Sequence, residues 1–271
     1  MRSILLHACR DDRFESRFQV ALDVARQLDA HLTCLQVVSF DVAVPGDLYG
    51  TVISEMIPVI RDAALEFRAK VEDRLAKEDV RWSWAEEFGV EEGYLLDYAA
   101  LADLVVVSAA PSELGGRGPS PLVGGLAIHG RAPLLVVPNE QSGLSLGGPA
   151  LVAWNNSAES SRALKAAVPF LARASGVSLA IVAEEKADSE HDIPPLRGVE
   201  YLARHGIEAE IVELTQNSEG VAATLEEAAR ARGATYLVMG AYGHSRLRQM
   251  LFGGVTRRLL TDPGLPLLLA H

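Results

Sequence analysis

At 271 residues the chain has room for about two domains of ~150 residues, each with its own core, and 49% hydrophobic with 23% charged residues is a globular composition. A formal net charge of −11 excludes nonspecific nucleic-acid binding, which demands a basic surface. Two cysteines, Cys9 and Cys34, are too few for a disulfide framework, no run approaches the ~18 apolar residues of a membrane span, and the N-terminal apolar run is too short for a secretion signal, so a cytoplasmic protein with two buried thiols is expected.

Taken in order, Ile4 to Cys9 predicts a buried strand and Ser16 to Leu28 a helix with Phe18, Leu22, Ala25 and Leu28 on one face. His31 to Ser39 predicts a second strand. A loop marked by Val44-Pro-Gly follows, then one long helix carrying Met56, Ile60, Ala63, Phe67, Val71 and Leu75 as a stripe up to about Lys77. Arg81 to Glu86 alternates like a strand, Glu91 to Leu101 is helical, and Leu104 to Ser108 is a fourth strand. After a loop rich in breakers, Leu122 to Gly130 predicts a short helix and Pro133 to Val137 a fifth strand. Strand and helix alternate throughout, the pattern of a doubly wound parallel sheet.

Asn139 to Pro149 has the composition of a flexible linker, with three glycines and two serines. The pattern then restarts. Ala150 to Trp154 is a strand, Ser157 an N-cap for a helix reaching about Ala174 despite Pro169, and Val177 to Ala183 a strand. Pro195 to Arg204 reads as a helix, Glu208 to Leu214 as a strand, and Ser218 as the cap of a helix through Arg232. Domains are therefore expected at residues 1–140 and 150–271, with 141–149 between them.

The last stretch carries the chemistry. Ala234 to Gly240 is a strand ending on glycine; Gly243 follows, and nine residues later comes the pair Gly253-Gly254 at the start of a helix through Leu260. Glycines let backbone N–H groups approach an anion, and a helix start adds unpaired donors and partial positive charge. Thr256 could add a hydroxyl. Arg246, Arg248, Arg257 and Arg258 lie between Gly243 and Leu260, with no acid among them. The spacing is neither a Walker A loop nor the dinucleotide fingerprint.

Gly-x2-Gly-x9-Gly between strand and helix resembles the nucleotide loop of the universal stress protein family. The flanks from Leu151-Val-Ala-Trp-Asn-Asn-Ser to Leu265–Ala270 resemble it too, closely in the second half and loosely in the first. The family has Gly followed by Ser or Thr at this helix start, where Gly254 stands here. The resemblance implies an α/β fold of two repeated Rossmann-like or flavodoxin-like domains, each a five-stranded parallel sheet with helices on both faces. It implies a stress-response regulator binding ATP or another adenine nucleotide, with Mg as counter-ion, and allows a homodimer on top of the intrachain pairing. Carried over position by position, the nucleotide-binding residues are Ala153, Asn155, Val182, Met239, Gly240, Gly243, Gly253, Gly254, Val255 and Thr256. Asn155 holds the place of an adenosine-binding Asp, and Val182 that of the adenine wall.

The two halves also repeat each other. Ala102 to Pro111 aligns with Ala234 to Gly243, and Gly124-Gly125 with Gly253-Gly254, so the first copy gains three residues of loop. Ser108 then stands for Gly240, Pro111 for Gly243 and Cys9 for Asn155. Proline at 111 removes a donor and fixes φ, so any nucleotide is expected in the second half alone. Arg117 alone is left of the basic residues in that loop.

No catalytic constellation assembles from these residues. Ser157, Ser160 and Ser161 are explained by capping, His244 by a solvent-facing loop, and the seven histidines lack metal-ligand spacing, so no metal is expected. No lysine follows Gly233, which argues for a slow ATPase at most. Two rivals stand: an interaction scaffold whose glycine loop only packs, favoured by Asn155 and Gly254, and an adenine-nucleotide alpha hydrolase, disfavoured because no SGGxDS-like loop follows either first strand.

Overall fold

The structure, a computed structural model, describes residues 1–39, 51–109, 118–183, 195–241 and 254–271. The first half runs β1 (Ser3–His7), α1 (Phe14–Leu28), β2 (His31–Val38), α2 (Thr51–Leu75), β3 (Arg81–Phe88), α3 (Glu91–Ala99), β4 (Leu104–Ser108), α4 (Pro121–His129) and β5 (Leu134–Val137). The second repeats it as β6 (Ala150–Ala153), α5 (Ala158–Leu171), β7 (Val177–Ala183), α6 (Pro195–Arg204), β8 (Ala209–Thr215), α7 (Val221–Ala231), β9 (Tyr236–Gly240), α8 (Gly254–Thr261) and β10 (Leu267–Ala270).

Each half is the expected five-stranded parallel sheet, and the two closing strands meet. One ten-stranded sheet results, ordered β3-β2-β1-β4-β5-β10-β9-β6-β7-β8, parallel except where β5 and β10 pair antiparallel. Those two strands read LLVV and LLLA, so each would otherwise be an apolar edge open to other chains; pairing closes both. The outer edges, β3 and β8, carry Glu86, Glu87, Glu210 and Glu213 and stay half exposed.

Alternation along the central strands divides the core into two layers. Ile4 and Leu6 of β1 face one layer, with α1, α2, α5 and α6; Leu5 faces the other, with α3, α4, α7 and α8. Each layer draws residues from both halves. α1 is helical because Phe14, Phe18, Ala21, Leu22, Ala25 and Leu28 fall at three- and four-residue spacing and are buried. Ser157 caps α5 as expected, its Oγ accepting from the Ser160 N–H at 3.1 Å, and α5 runs to Leu171 with Pro169 in its last turn.

Two expectations are corrected. α7 begins at Val221 behind Gly220, whose φ of 94° suits glycine, and Ser218 does not cap it; the turn is held by Asn217, whose Oδ1 accepts from the Glu219 N–H. The linker is docked. Leu144 and Leu146 are buried, and Gln27 of α1 brackets them: its Nε2 donates to the Leu144 carbonyl and its Oε1 accepts from the Leu146 N–H, both at 2.7 Å. The Leu144 N–H meets Asp23 at 3.0 Å, and Thr235 donates to the Ser145 carbonyl at 3.0 Å. The linker's small residues serve close approach, since a Cβ on Gly148 would stand 2.3 Å from the Thr235 methyl.

The repeat register is also corrected. Ser108 pairs with Val137 as Gly240 pairs with Ala270, which confirms that Ser108 and Gly240 correspond. α4 and α8 each start thirteen positions before their closing strand, so Pro121 matches Gly254. Burial agrees, with Val123 and Leu126 matching Thr256 and Leu259. Gly124-Gly125 therefore lies one helical turn inside α4 and is not the counterpart of Gly253-Gly254. There it packs, because a Cβ on Gly125 would sit 2.0 Å from a Glu92 carboxylate oxygen.

Candidate functional site

In an open α/β sheet the ligand crevice lies at the carboxyl ends of the strands where chain order reverses. In the second half that point falls between β6 and β9: from β6 the chain goes outward to β7 and β8, then returns to β9 on the other side. Ala153 ends β6 and Asn155 lies two residues beyond it, Met239 and Gly240 end β9, Val182 lies near the end of β7, and Gly254 opens α8. β9, β6 and β7 are neighbours in the sheet, so Ala153, Val182, Met239 and Gly240 lie toward one end of it. Gly243, Gly253, His244, Arg246 and Arg248 lie outside the described residues.

Gly240 has no room for a side chain. A Cβ there would stand 2.4 Å from the Ser160 nitrogen and 2.5 Å from the Glu159 carbonyl carbon, both backbone atoms of the first turn of α5. Asn155 is exposed, and its Oδ1 accepts from the Ser157 hydroxyl at 2.7 Å and the Ser157 N–H at 3.3 Å. It thus organises the start of α5 as an Asx turn. Asn156 follows at φ 62°, a left-handed conformation asparagine tolerates, and its buried Oδ1 has no hydrogen-bond partner. Ser160 and Ser161 both donate to the Ser157 carbonyl, so all three serines belong to the helix start.

Around α8 the outcome is mixed. Val255 is half-buried and Gly254 is open, with nothing within 4 Å of its would-be Cβ. Thr256 is buried on the face that carries Leu259 and Leu260, so the expected phosphate hydroxyl belongs to the packed side of the helix. Arg258 pairs with Glu219 and Glu226 of the α7 region at 3.8 and 3.7 Å. Arg257 reaches toward the first half, its Nε 3.2 Å from where a Cβ on Gly118 would lie. Surface hollows form elsewhere, at the amino-terminal strand edge near Pro149, Gly176 and Glu208 and around Arg230 and Asp262.

The equivalent crevice of the first half is filled by its own chain. Arg17 of α1, 1% exposed, donates from Nε to the His7 carbonyl at 2.7 Å and from Nη2 to the Cys9 carbonyl at 2.6 Å. Its Nη1 meets both Asp11 oxygens at 2.8 and 2.9 Å and the Ser108 Oγ at 3.0 Å. Ser108 in turn donates to the Arg13 carbonyl. A buried guanidinium is tolerable only when paired and bonded this fully. By strand register and helix burial Arg17 takes the place of Ala163, and Ser108 that of Gly240. Sequence reading passed over Arg17; the signal was an arginine on the apolar stripe between Phe14 and Phe18.

A profile described as the Universal stress protein family matches residues 148–271. The match lies wholly within the second half of the chain. No curated protein matches it. Among solved structures, a universal stress protein from Archaeoglobus fulgidus DSM 4304 aligns over 98% of this chain and 97% of its own, with TM-score 0.68 at 15% identity. A protein of unknown function from Pseudomonas aeruginosa PAO1 aligns over 99% and 92%, with TM-score 0.57 at 17% identity. Such likenesses establish the fold, here with both halves of the chain included. Among the described residues no helix is long and apolar enough to cross a membrane.

Proposed function

We propose that the second half binds one adenine nucleotide, ATP being the expected form, and that the chain acts as a nucleotide-responsive regulator in the stress response, the first half serving as its structural partner. One contrast carries this reading. Where the first crevice is closed by Arg17 and Ser108, the second has Ala163 and Gly240, and α8 is the element that follows β9 in the chain. Glycine and alanine keep the strand ends clear of side chains, and the helix start supplies donors for phosphate. A fluorescent ATP analogue titrated against the full chain should saturate at one equivalent. Saturation at two, or no binding, overturns the reading.

A nucleotide-independent scaffold is the second reading, favoured by two observations. Gly240 is required for packing against α5 whether or not a ligand is present. Asn155 lacks the charge that best holds a ribose hydroxyl or a metal, and its oxygen already serves Ser157.

A further inference from the structure

His7 ends β1 and Cys9 follows two positions later, so strand alternation turns both side chains to the face covered by α3. The first residue of α3 is Glu91. The ligating atoms of His7, Cys9 and Glu91 all lie within 4.8 Å of one another. His7 is 5% exposed and its Nε2, buried, has no hydrogen-bond partner; the Glu91 oxygen faces it at 3.8 Å, too far for a hydrogen bond. A lone pair or N–H buried without a partner is costly, so this nitrogen calls for an occupant. Motif spacing could not reveal the group, because its third member comes from a helix more than eighty residues further along the chain.

We propose that His7, Cys9 and Glu91 bind one zinc-class divalent ion at the carboxyl end of β1, leaving a fourth coordination position to solvent or an incoming ligand. One imidazole, one thiolate and one carboxylate form a borderline-soft donor set suited to zinc, whereas magnesium and calcium take oxygen donors. Neighbouring donors around tetrahedral zinc are about 3.5 Å apart, so the His7–Glu91 spacing already suits an edge and the rest closes by side-chain rotation. The charges balance: Glu91 and a Cys9 thiolate neutralise the ion, while Arg17 is already matched by Asp11. On binding, the Cys9 S–H bond breaks, its proton leaves to solvent, and the sulfur electron pair forms the bond to the metal. Burial first, then Glu91, pushes the free thiol up to about 12. Strand register matches His7 to Ala153 and Cys9 to Asn155. The two halves would thus use the same two positions for different ligands, a metal in one and a nucleotide in the other.

The test uses the full chain, stripped with a chelator and titrated with zinc chloride by calorimetry and with cobalt chloride by absorbance. One ion per chain is expected, with a sulfur-to-cobalt charge-transfer band in the near ultraviolet. Cys9→Ser should lose the band and Cys34→Ser should keep it. Glu91→Gln and His7→Ala should weaken zinc by more than the ~10–100-fold typical of an outer-shell loss. Circular dichroism of the stripped variants checks that they fold; should Cys9→Ser not fold, the band in the parent together with the Glu91→Gln affinity decides. No bound ion, binding without the band, or a band that survives Cys9→Ser overturns the proposal.

Discussion

The Nη1 of Arg17 donates to the Oγ of Ser108 at 3.0 Å, joining α1 to the end of β4, where the other half has Ala163 and Gly240 at the matching positions. Removing the arginine leaves the His7 and Cys9 carbonyls and the Asp11 carboxylate short of their donor. Arg17→Ala should therefore destabilise the chain by about 3 kcal/mol, the lower end for breaking a buried pair because Asp11 is partly exposed. Urea unfolding measures this, and a change below about 1 kcal/mol would contradict the assigned role.

The corresponding positions Ser108 and Gly240 should respond oppositely to alanine. Ser108→Ala removes hydrogen bonds but fits, costing about 1 kcal/mol. Gly240→Ala drives a methyl into the backbone of α5 and should cost about 3 kcal/mol or more. Equal shifts in the urea midpoint would mean that the close approach of β9 to α5 relaxes freely.

Replacing Gly243 by Val separates packing from binding. Adenine-nucleotide binding should be abolished while stability changes by only about 1 to 2 kcal/mol. Unchanged affinity in a fluorescence titration would assign the glycine loop to structure alone.

The segment between the halves should resist protease in the native chain, because Leu144 and Leu146 are buried and bracketed by Gln27. Leu146→Ala should cost about 2 to 5 kcal/mol and expose residues 139–149 to cleavage. Rapid cutting there in the parent would restore the flexible linker.

Asp103 gives a pH dependence with a definite sign. Its carboxylate accepts the N–H groups of Arg2 at 2.5 Å and Ser3 at 3.1 Å, and these hold it below the usual carboxylate range. A depressed folded value means the contribution is fully present above the unfolded value, about 3.9, and is lost as pH falls through the folded one. Asp103→Asn should lower Tm at neutral pH and flatten its fall in acid. Parallel Tm profiles for parent and variant would refute this.

Elements with uniform apolar runs were legible: β4 and β7 lie where the sequence places them, because an apolar run short enough for a strand leaves one pattern. Ser157 was legible as a cap, its type and position both fitting. Ser218 misled, since Gly220, two residues on, meets a backbone need that composition does not show. The pair Gly124-Gly125 misled by likeness, its spacing resembling a loop motif although Gly125 makes room for Glu92. Of the site, the strand ends could be read from topology. Arg17 left one trace, its place on the apolar stripe of α1, whereas His7 and Glu91 left none, because they meet only across more than eighty residues of chain.

The antiparallel meeting of β5 and β10 bears on how the protein behaves on dilution. Were the halves separate chains, Leu267–Leu269 would find Leu134–Val136 only by diffusion, and the seam would come apart as concentration fell. A short covalent connection sets the local concentration of one edge near the other at roughly millimolar, whatever the amount of protein in the cell. Neither half need wait for, or exchange, a second molecule to complete the sheet. Two non-identical crevices are thereby kept permanently in a one-to-one ratio, which random pairing of independent subunits would not ensure.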